Sequence, residues 1–140
     1  RAYFGEKDFQ QVAVIRAMVA DLQLPVRIIP CPIVRENSGL AMSSRNTLLT
    51  DSERETALHI SKTLFDSVDY AKTHTVAETC QHVVTTLNAI DGLDVEYYQI
   101  VDGITLQEVH SWDAANEIVG CITVFCGARP VRLIDNIRYK

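Results

Sequence analysis

The sequence predicts a mixed α/β and α+β chain. A strand–helix–strand unit of the kind that builds parallel sheets comes first, and a small domain with a three-stranded antiparallel sheet and covering helices follows. Three observations carry this reading. Apolar residues recur at helical spacing between two short apolar runs in the first stretch of about thirty residues. Two capping-box patterns, at Thr50–Glu53 and Thr75–Glu78, open two further helical stripes. From Val95 onward the hydrophobic period shifts from helical spacing toward alternation.

Arg1 to Phe4 reads as the final part of a strand, as though the chain starts inside one. Gly5-Glu6-Lys7-Asp8 leads into a helix whose Phe9, Val12, Ile15, Val19 and Leu22 share one stripe, with Met18 beside it. Asp8 is its expected N-cap, and Pro25 is expected to stop it after Leu24. Val26 to Ile29 reads as a buried strand ending at Pro30-Cys31-Pro32. Two parallel strands cannot bury both faces of a sheet, so this unit reads as a piece of a larger one. Ile33 to Leu49 reads as a loop. The first box starts a helix to about Asp69 with Ala57, Leu58, Leu64, Phe65 and Val68 on its apolar face. The second starts a helix with Val76, Cys80, Val83, Leu87 and Ile90 in line, ended by Asp91-Gly92. Val95–Val101, Ile118–Cys126 and Val131–Ile137 read as strands, the last two joined through Gly127-Ala128-Arg129-Pro130.

Composition narrows the function classes. The 140 residues are 47 % hydrophobic and 22 % charged, ordinary for a globular protein and unlike a disordered or collagen-like chain. Thirteen Lys and Arg against eighteen Asp and Glu leave a net charge of −5, which argues against a nucleic-acid binder. No apolar run reaches the roughly 18 residues of a membrane helix, so no membrane partner is expected. The longest apolar stretch, Ile118–Ala128, is broken by Thr123 and two glycines. Cys31, Cys80, Cys121 and Cys126 lack zinc-site spacing and read as reduced thiols of a cytoplasmic protein. Arg1-Ala2-Tyr3-Phe4-Gly5 has no signal-peptide character.

Two stretches hold residues suited to chemistry. Gly5-Glu6-Lys7-Asp8-Phe9-Gln10-Gln11 lies at a strand end leading into a helix, where parallel sheets place ligands and helix N-termini favour anions. Gly5 permits close backbone approach, Lys7 supplies a mobile cation, and Asp8 can hold a ribose hydroxyl or cap the helix. The same residues also suit an ordinary capped surface helix, and spacing alone does not separate the two. The second stretch, Arg35 to Asn46, gathers Ser43, Ser44, Arg45 and Asn46 after a small flexible lead-in. Such a loop can wrap a polyphosphate, or it can be a solvated turn whose serines cap a helix. Taken together with Lys7, two strands away, the stretch favours a phosphate site.

These words also carry a resemblance. Tyr3-Phe4-Gly5-Glu6-Lys7-Asp8-Phe9-Gln10-Gln11, the Val34–Asn46 segment with its Gly39-Leu40-Ala41-Met42-Ser43-Ser44-Arg45-Asn46, and Arg132-Leu133-Ile134-Asp135-Asn136 resemble the C-terminal half of the pantoate–β-alanine ligase family of nucleotidylyltransferases. The resemblance implies residues 1–33 as the last βαβ piece of a Rossmann-like nucleotide-binding domain and residues 34–140 as an α+β lid domain. It implies ATP-dependent condensation of pantoate with β-alanine through a pantoyl adenylate, releasing pyrophosphate and AMP. Ser43, Ser44 and Arg45 would grip the ATP phosphates, and Val34 and Met42 would border the adenine. Lys7 would neutralise transition-state charge, Gly5 and Asp8 would touch the ribose, and Gln11 would bind pantoate. Magnesium would accompany ATP with its protein ligands outside this stretch, and the full-length enzyme would be a cytoplasmic homodimer.

The H-x-G-H signature of that superfamily has no counterpart here, since His59, His74, His82 and His110 lie outside any such pattern. They read as structural or surface residues, and the chain reads as a fragment expected to be inactive alone. Asp51 and Glu53 read as first-turn helix charges, Trp112 as a packing residue, and Arg132–Asp135 as an ion pair within the last strand. A non-catalytic oligomerisation or regulatory module, or an adenylyltransferase for another carboxylic acid, are the alternatives.

Overall fold

The computed structural model describes residues 1–140. Its first unit is the expected βαβ: β1 (Ala2–Gly5) and β2 (Ile28–Cys31) pair in parallel from Ala2↔Ile28 to Gly5↔Cys31, joined by α1 (Phe9–Asp21), with β2 two residues later than the expected Val26–Ile29 and half-buried rather than buried. The helix stops earlier than Pro25 alone suggests. Gln23 takes a left-handed φ of 50°, its N–H donates to the Ala20 carbonyl at 3.1 Å, and the Leu24 N–H donates to Val19 at 3.0 Å. That is a Schellman stop, which satisfies the final carbonyls before the proline is reached.

Both capping boxes form. Thr50 Oγ1 accepts from the Glu53 N–H at 3.2 Å while the Glu53 carboxylate accepts from the Thr50 N–H at 2.9 Å, opening α2 (Asp51–Tyr70). Thr75 and Glu78 repeat the exchange at 3.2 and 2.8 Å to open α3 (Val76–Asn88). Three antiparallel strands follow in the order β3 (Leu93–Asp102), β4 (Ile118–Cys126), β5 (Val131–Arg138). β3 starts two residues before the expected Val95, and a bulge lies between Val95 and Tyr97.

The central strand β4 is buried on both faces, which accounts for a run in which Thr123 is the single polar side chain. One face meets α2 and α3 in the main core, where Leu64, Val83, Leu87, Ile118, Ile122 and Val124 lie together. The opposite face receives Phe9, packed with Val101, Val119 and Cys121. Burying one phenylalanine there contributes about 2–3 kcal/mol, and it seats the first turn of α1 on the back of the antiparallel sheet.

The Ile33–Leu49 segment is more ordered than a loop. Val34 and Met42 face each other across a hairpin, with the Met42 N–H donating to the Val34 carbonyl at 2.9 Å and a bridge between Arg35 and Ala41. Gly39 turns it at φ 96°. A short 3-10 helix, Ser44–Leu48, follows, with Ser43 Oγ accepting from the Arg45 N–H at 3.2 Å.

Candidate functional site

Lys7, Asp8, Ser43, Ser44 and Arg45 line one cavity of about 250 Å³, completed by Arg132 and Ile134 of β5. The two stretches singled out in the sequence therefore meet in space. A second cavity of about 220 Å³ shares Lys7, Asp8, Arg132 and Ile134 and extends to Gln11, Tyr97, Cys121 and Asn136. Gln11 thus sits beside the first cavity and not in it. Gly5, Val34 and Met42 line neither. Val34 and Met42 are exposed next to each other on the hairpin. Gly5 is exposed at the carboxyl end of β1 with an ordinary φ of −69°, and a Cβ there would meet nothing within 4 Å.

Asp8 precedes α1 but makes no side-chain cap bond, contrary to the sequence expectation. The intervening 3-10 turn, Glu6–Asp8, puts its carboxylate on the cavity wall instead. The Lys7 ammonium has neither an ion pair nor a hydrogen bond in the chain. Arg45 donates to the Arg132 carbonyl at 2.9 Å, and Arg132 donates through Nε to Glu96 at 2.7 Å. Three cations and two hydroxyls against one carboxylate make a wall suited to a polyanion.

A buried polar scaffold holds these side chains. Asn46, 3 % exposed, donates to the Ala41 carbonyl and to Glu36, each at 3.1 Å. Arg54 donates to Glu36 at 2.7 Å and to the Asn46 carbonyl at 3.0 Å. Arg35 grips Asp135 through two bonds of 2.7 and 2.8 Å, donates to the Gly39 carbonyl at 3.1 Å, and lies 5.0 Å over the Phe65 ring. From the next position on β5, Asn136 Nδ2 donates to the carbonyls of Glu6 at 2.7 Å and Lys7 at 3.2 Å.

The expected Arg132–Asp135 pair does not form, because residues three apart on a strand face opposite ways. Arg132 joins the cavity and Asp135 turns to Arg35. Sequence reasoning missed Arg132 as a cavity residue and Arg35, Glu36, Asn46, Arg54 and Asn136 as its support. The signal was there for one pair: Asp135-Asn136 places two adjacent polar residues between Ile134 and Ile137, so one of them must face the core side of the strand.

The remaining candidates stay outside the cavity. His74 and His82 stack on opposite sides of Tyr70 at 3.7 and 4.0 Å, and His59 and His110 are exposed. Trp112 packs on Tyr139 and donates to the His74 carbonyl at 2.8 Å, as a packing residue should. Burial pushes the Cys121 thiol up to about 12, so it stays protonated near neutral pH and is no nucleophile. No three His, Cys, Asp or Glu side chains converge in a way that could hold a metal ion. The site's capacity is electrostatic: it can bind and stabilise growing negative charge without a covalent protein intermediate.

The family model described as pantoate-beta-alanine ligase matches residues 1–138. A pantothenate synthetase of Bacteroides fragilis (strain YCH46) is 59 % identical over 140 residues, 100 % of this chain and 49 % of that protein. One from Clostridium botulinum (strain Kyoto / Type A2) is 42 % identical over 142 residues, again 49 % of its length. The chain spans about half the length of the curated relatives it matches. The crystal structure of pantothenate synthetase from Thermus thermophilus superposes with a TM-score of 0.88 at 37 % identity, covering 99 % of this chain and 49 % of that one. A pantoate-beta-alanine ligase from Francisella tularensis, complexed with beta-gamma ATP and beta-alanine, gives 0.66 at 31 % identity, covering 98 % and 42 %.

Proposed function

Because the chain belongs to the pantoate-beta-alanine ligase family, we propose that it supplies the phosphate-gripping half of an enzyme that joins pantoate to β-alanine at the expense of ATP. In the first step a pantoate carboxylate oxygen attacks the α-phosphorus of ATP, and pyrophosphate leaves. In the second the neutral β-alanine amine attacks the acyl carbon of the pantoyl adenylate, the nitrogen gives up a proton to solvent as the amide forms, and AMP leaves with the bonding electrons of the acyl–oxygen bond.

The observation that carries this reading is the meeting of Lys7 with Ser43, Ser44 and Arg45 around one cavity. Lys7, with no partner in the chain, is placed to neutralise charge on the phosphates as the α-phosphorus bond to pyrophosphate breaks. Arg45 and Arg132 hold the departing pyrophosphate, and the serine hydroxyls donate to its oxygens. Gly5 and Asp8 meet the ribose, Val34 and Met42 offer the adenine an apolar border, and Gln11 reaches pantoate from the adjoining cavity. Magnesium travels with the ATP. Asp8 is the single carboxylate among the residues lining the phosphate cavity, so charge neutralisation by this chain rests on Lys7, Arg45 and Arg132.

Residues 1–33 form the nucleotide-binding part and residues 34–140 the α+β lid in this reading. The H-x-G-H imidazoles expected in the other half of the family's length have no counterpart here, so no turnover is expected from this chain alone. Four free cysteines suit the reducing cytoplasm. In a full-length ligase containing this sequence, Lys7→Ala should slow adenylate formation by about 10²–10³-fold and leave thermal stability unchanged. Near-normal pyrophosphate release in that variant would remove Lys7 from the mechanism.

A second reading, a non-catalytic association module, is favoured by one observation. Val14 and Met18 on α1 and Leu22 at its C-cap are 60, 46 and 63 % exposed, an apolar surface suited to a neighbour. In the ligase reading the same surface serves the rest of the nucleotide-binding sheet or the homodimer. Sedimentation separates the two: a full-length ligase whose activity survives charges placed at Val14 and Met18, while its association is lost, keeps catalysis and association distinct.

A further inference from the structure

We propose that Asn136 is a positioning residue, whose side-chain amide fixes the Glu6–Asp8 turn and thereby sets the Lys7 ammonium at the phosphate cavity. The proposal rests on the reading of Lys7 given above and deepens it.

Lys7 is a point charge on a flexible four-carbon stem with no partner of its own, so its reach is set by where its backbone is held. That backbone is a three-residue 3-10 turn without a side-chain cap, a form with weak internal hydrogen bonds. Asn136 comes from β5, 129 residues away in sequence, and donates to the carbonyl of Lys7 and to that of its neighbour Glu6. It is 8 % exposed. The other polar tie from the same strand is looser: Arg138 reaches Glu6 at 3.6 Å, is half exposed, and is shared with Glu117 at 2.6 Å.

The same strand also fixes the opposite wall of the cavity. Arg45 is held on the Arg132 carbonyl, and Asp135 holds the hairpin through Arg35. β5 therefore sets the distance between Lys7 and Arg45, and Asn136 is its tie on the Lys7 side. Displacing a charge by about 1 Å at such a site costs on the order of 100-fold in rate.

The test uses a full-length ligase containing this sequence. Asn136→Asp keeps the shape and turns a double donor into an acceptor facing two carbonyls, and Asn136→Ala removes the donor without a buried carboxylate should the first variant not fold. The readouts are the rate of pantoate-dependent ATP–pyrophosphate exchange, the KM for pantoate, and the affinity for inorganic pyrophosphate. Each variant is made with Lys7 present and with Lys7→Ala. With Lys7 present, exchange should fall about 100-fold with the pantoate KM within about threefold. In the Lys7→Ala background the further loss should stay within about threefold, because residues acting as a unit are not additive. Equal losses in both backgrounds would show a general structural tie and overturn the proposal. If the unsubstituted enzyme exchanges nothing, the ligase reading falls on its own, and pyrophosphate affinity decides. Weakening by the Asn136 variants only when Lys7 is present supports the positioning role, and unchanged affinity overturns it.

Discussion

Replacing Asp135 by alanine should destabilise the protein by about 3–4 kcal/mol. The carboxylate is 4 % exposed and takes two bonds from Arg35, at 2.7 and 2.8 Å, so its removal leaves a guanidinium facing an empty, buried position. Breaking one side of such a pair costs roughly 3–5 kcal/mol. The lower end applies, because Arg35 is 19 % exposed and keeps the Gly39 carbonyl and the Phe65 ring. The Asn136 N–H, which donates to Asp135 at 2.8 Å, is also orphaned, adding on the order of 1 kcal/mol. For a chain of this length the sum lowers Tm by about 10 °C. Urea unfolding of Asp135→Ala, Arg35→Ala and the double variant measures the pair directly. The double variant should be less destabilised than the sum of the singles by about 2 kcal/mol. A loss below about 1 kcal/mol for Asp135→Ala, or strict additivity, would mean that solvent already screens the pair and that the hairpin is held by its own turn.

Two further outcomes follow from local geometry. Gly5→Ala adds a methyl into open space at an ordinary φ, so stability should change by no more than about 0.5 kcal/mol. In the full-length enzyme the KM for ATP should nevertheless rise about tenfold; an unchanged KM would show that nothing approaches the Gly5 backbone. The second concerns acid. Hydrogen bonds from the Thr50 backbone, the Ala128 backbone and the Thr50 hydroxyl hold the Glu53 carboxyl below its usual range, and the Thr75 backbone and hydroxyl do the same for Glu78. A depressed folded-state value gives stability that is present above the unfolded value and lost as pH falls through the folded one. Tm should therefore fall as acid protonates the two boxes, and a Glu53→Gln, Glu78→Gln variant should show a shallower acid slope between pH values of about 5 and 3. Equal slopes would remove the boxes from the acid response.

Much of this was legible along the chain because the signals were local. The Thr50 and Thr75 boxes and the Ile118–Cys126 strand stand where the sequence places them, since caps and apolar runs depend on neighbours a few residues away. The convergence of Lys7 with Ser43, Ser44 and Arg45 could be suspected only as two separate words. Less legible was everything that depends on which way a side chain turns. Asp8 has the chemistry of an N-cap, but the 3-10 turn before α1 aims it elsewhere. The early stop of α1 at Asp21 rests on a left-handed glutamine, where a glycine would have been the readable sign. Arg132 and Asp135 look like partners in one dimension and are separated by the pleat. The loop from Ile33 to Leu49 hid a hairpin because its stabilising partners, Asp135 above all, are 100 positions away.

The ties between β5 and the two cavity walls span 100 and 130 residues of sequence, whereas α2, α3 and the β4–β5 hairpin close over short distances. Loop-closure entropy makes contacts of such separation late events in folding. The helices and the antiparallel sheet can consolidate first, and the cavity between Lys7 and Arg45 is completed only when the Lys7 turn and the Arg35 hairpin dock onto the finished strand. On the proposed reading, phosphate binding is then a readout of complete folding: a chain with native helix content but an undocked βαβ unit would be spectroscopically near normal and would bind no phosphate.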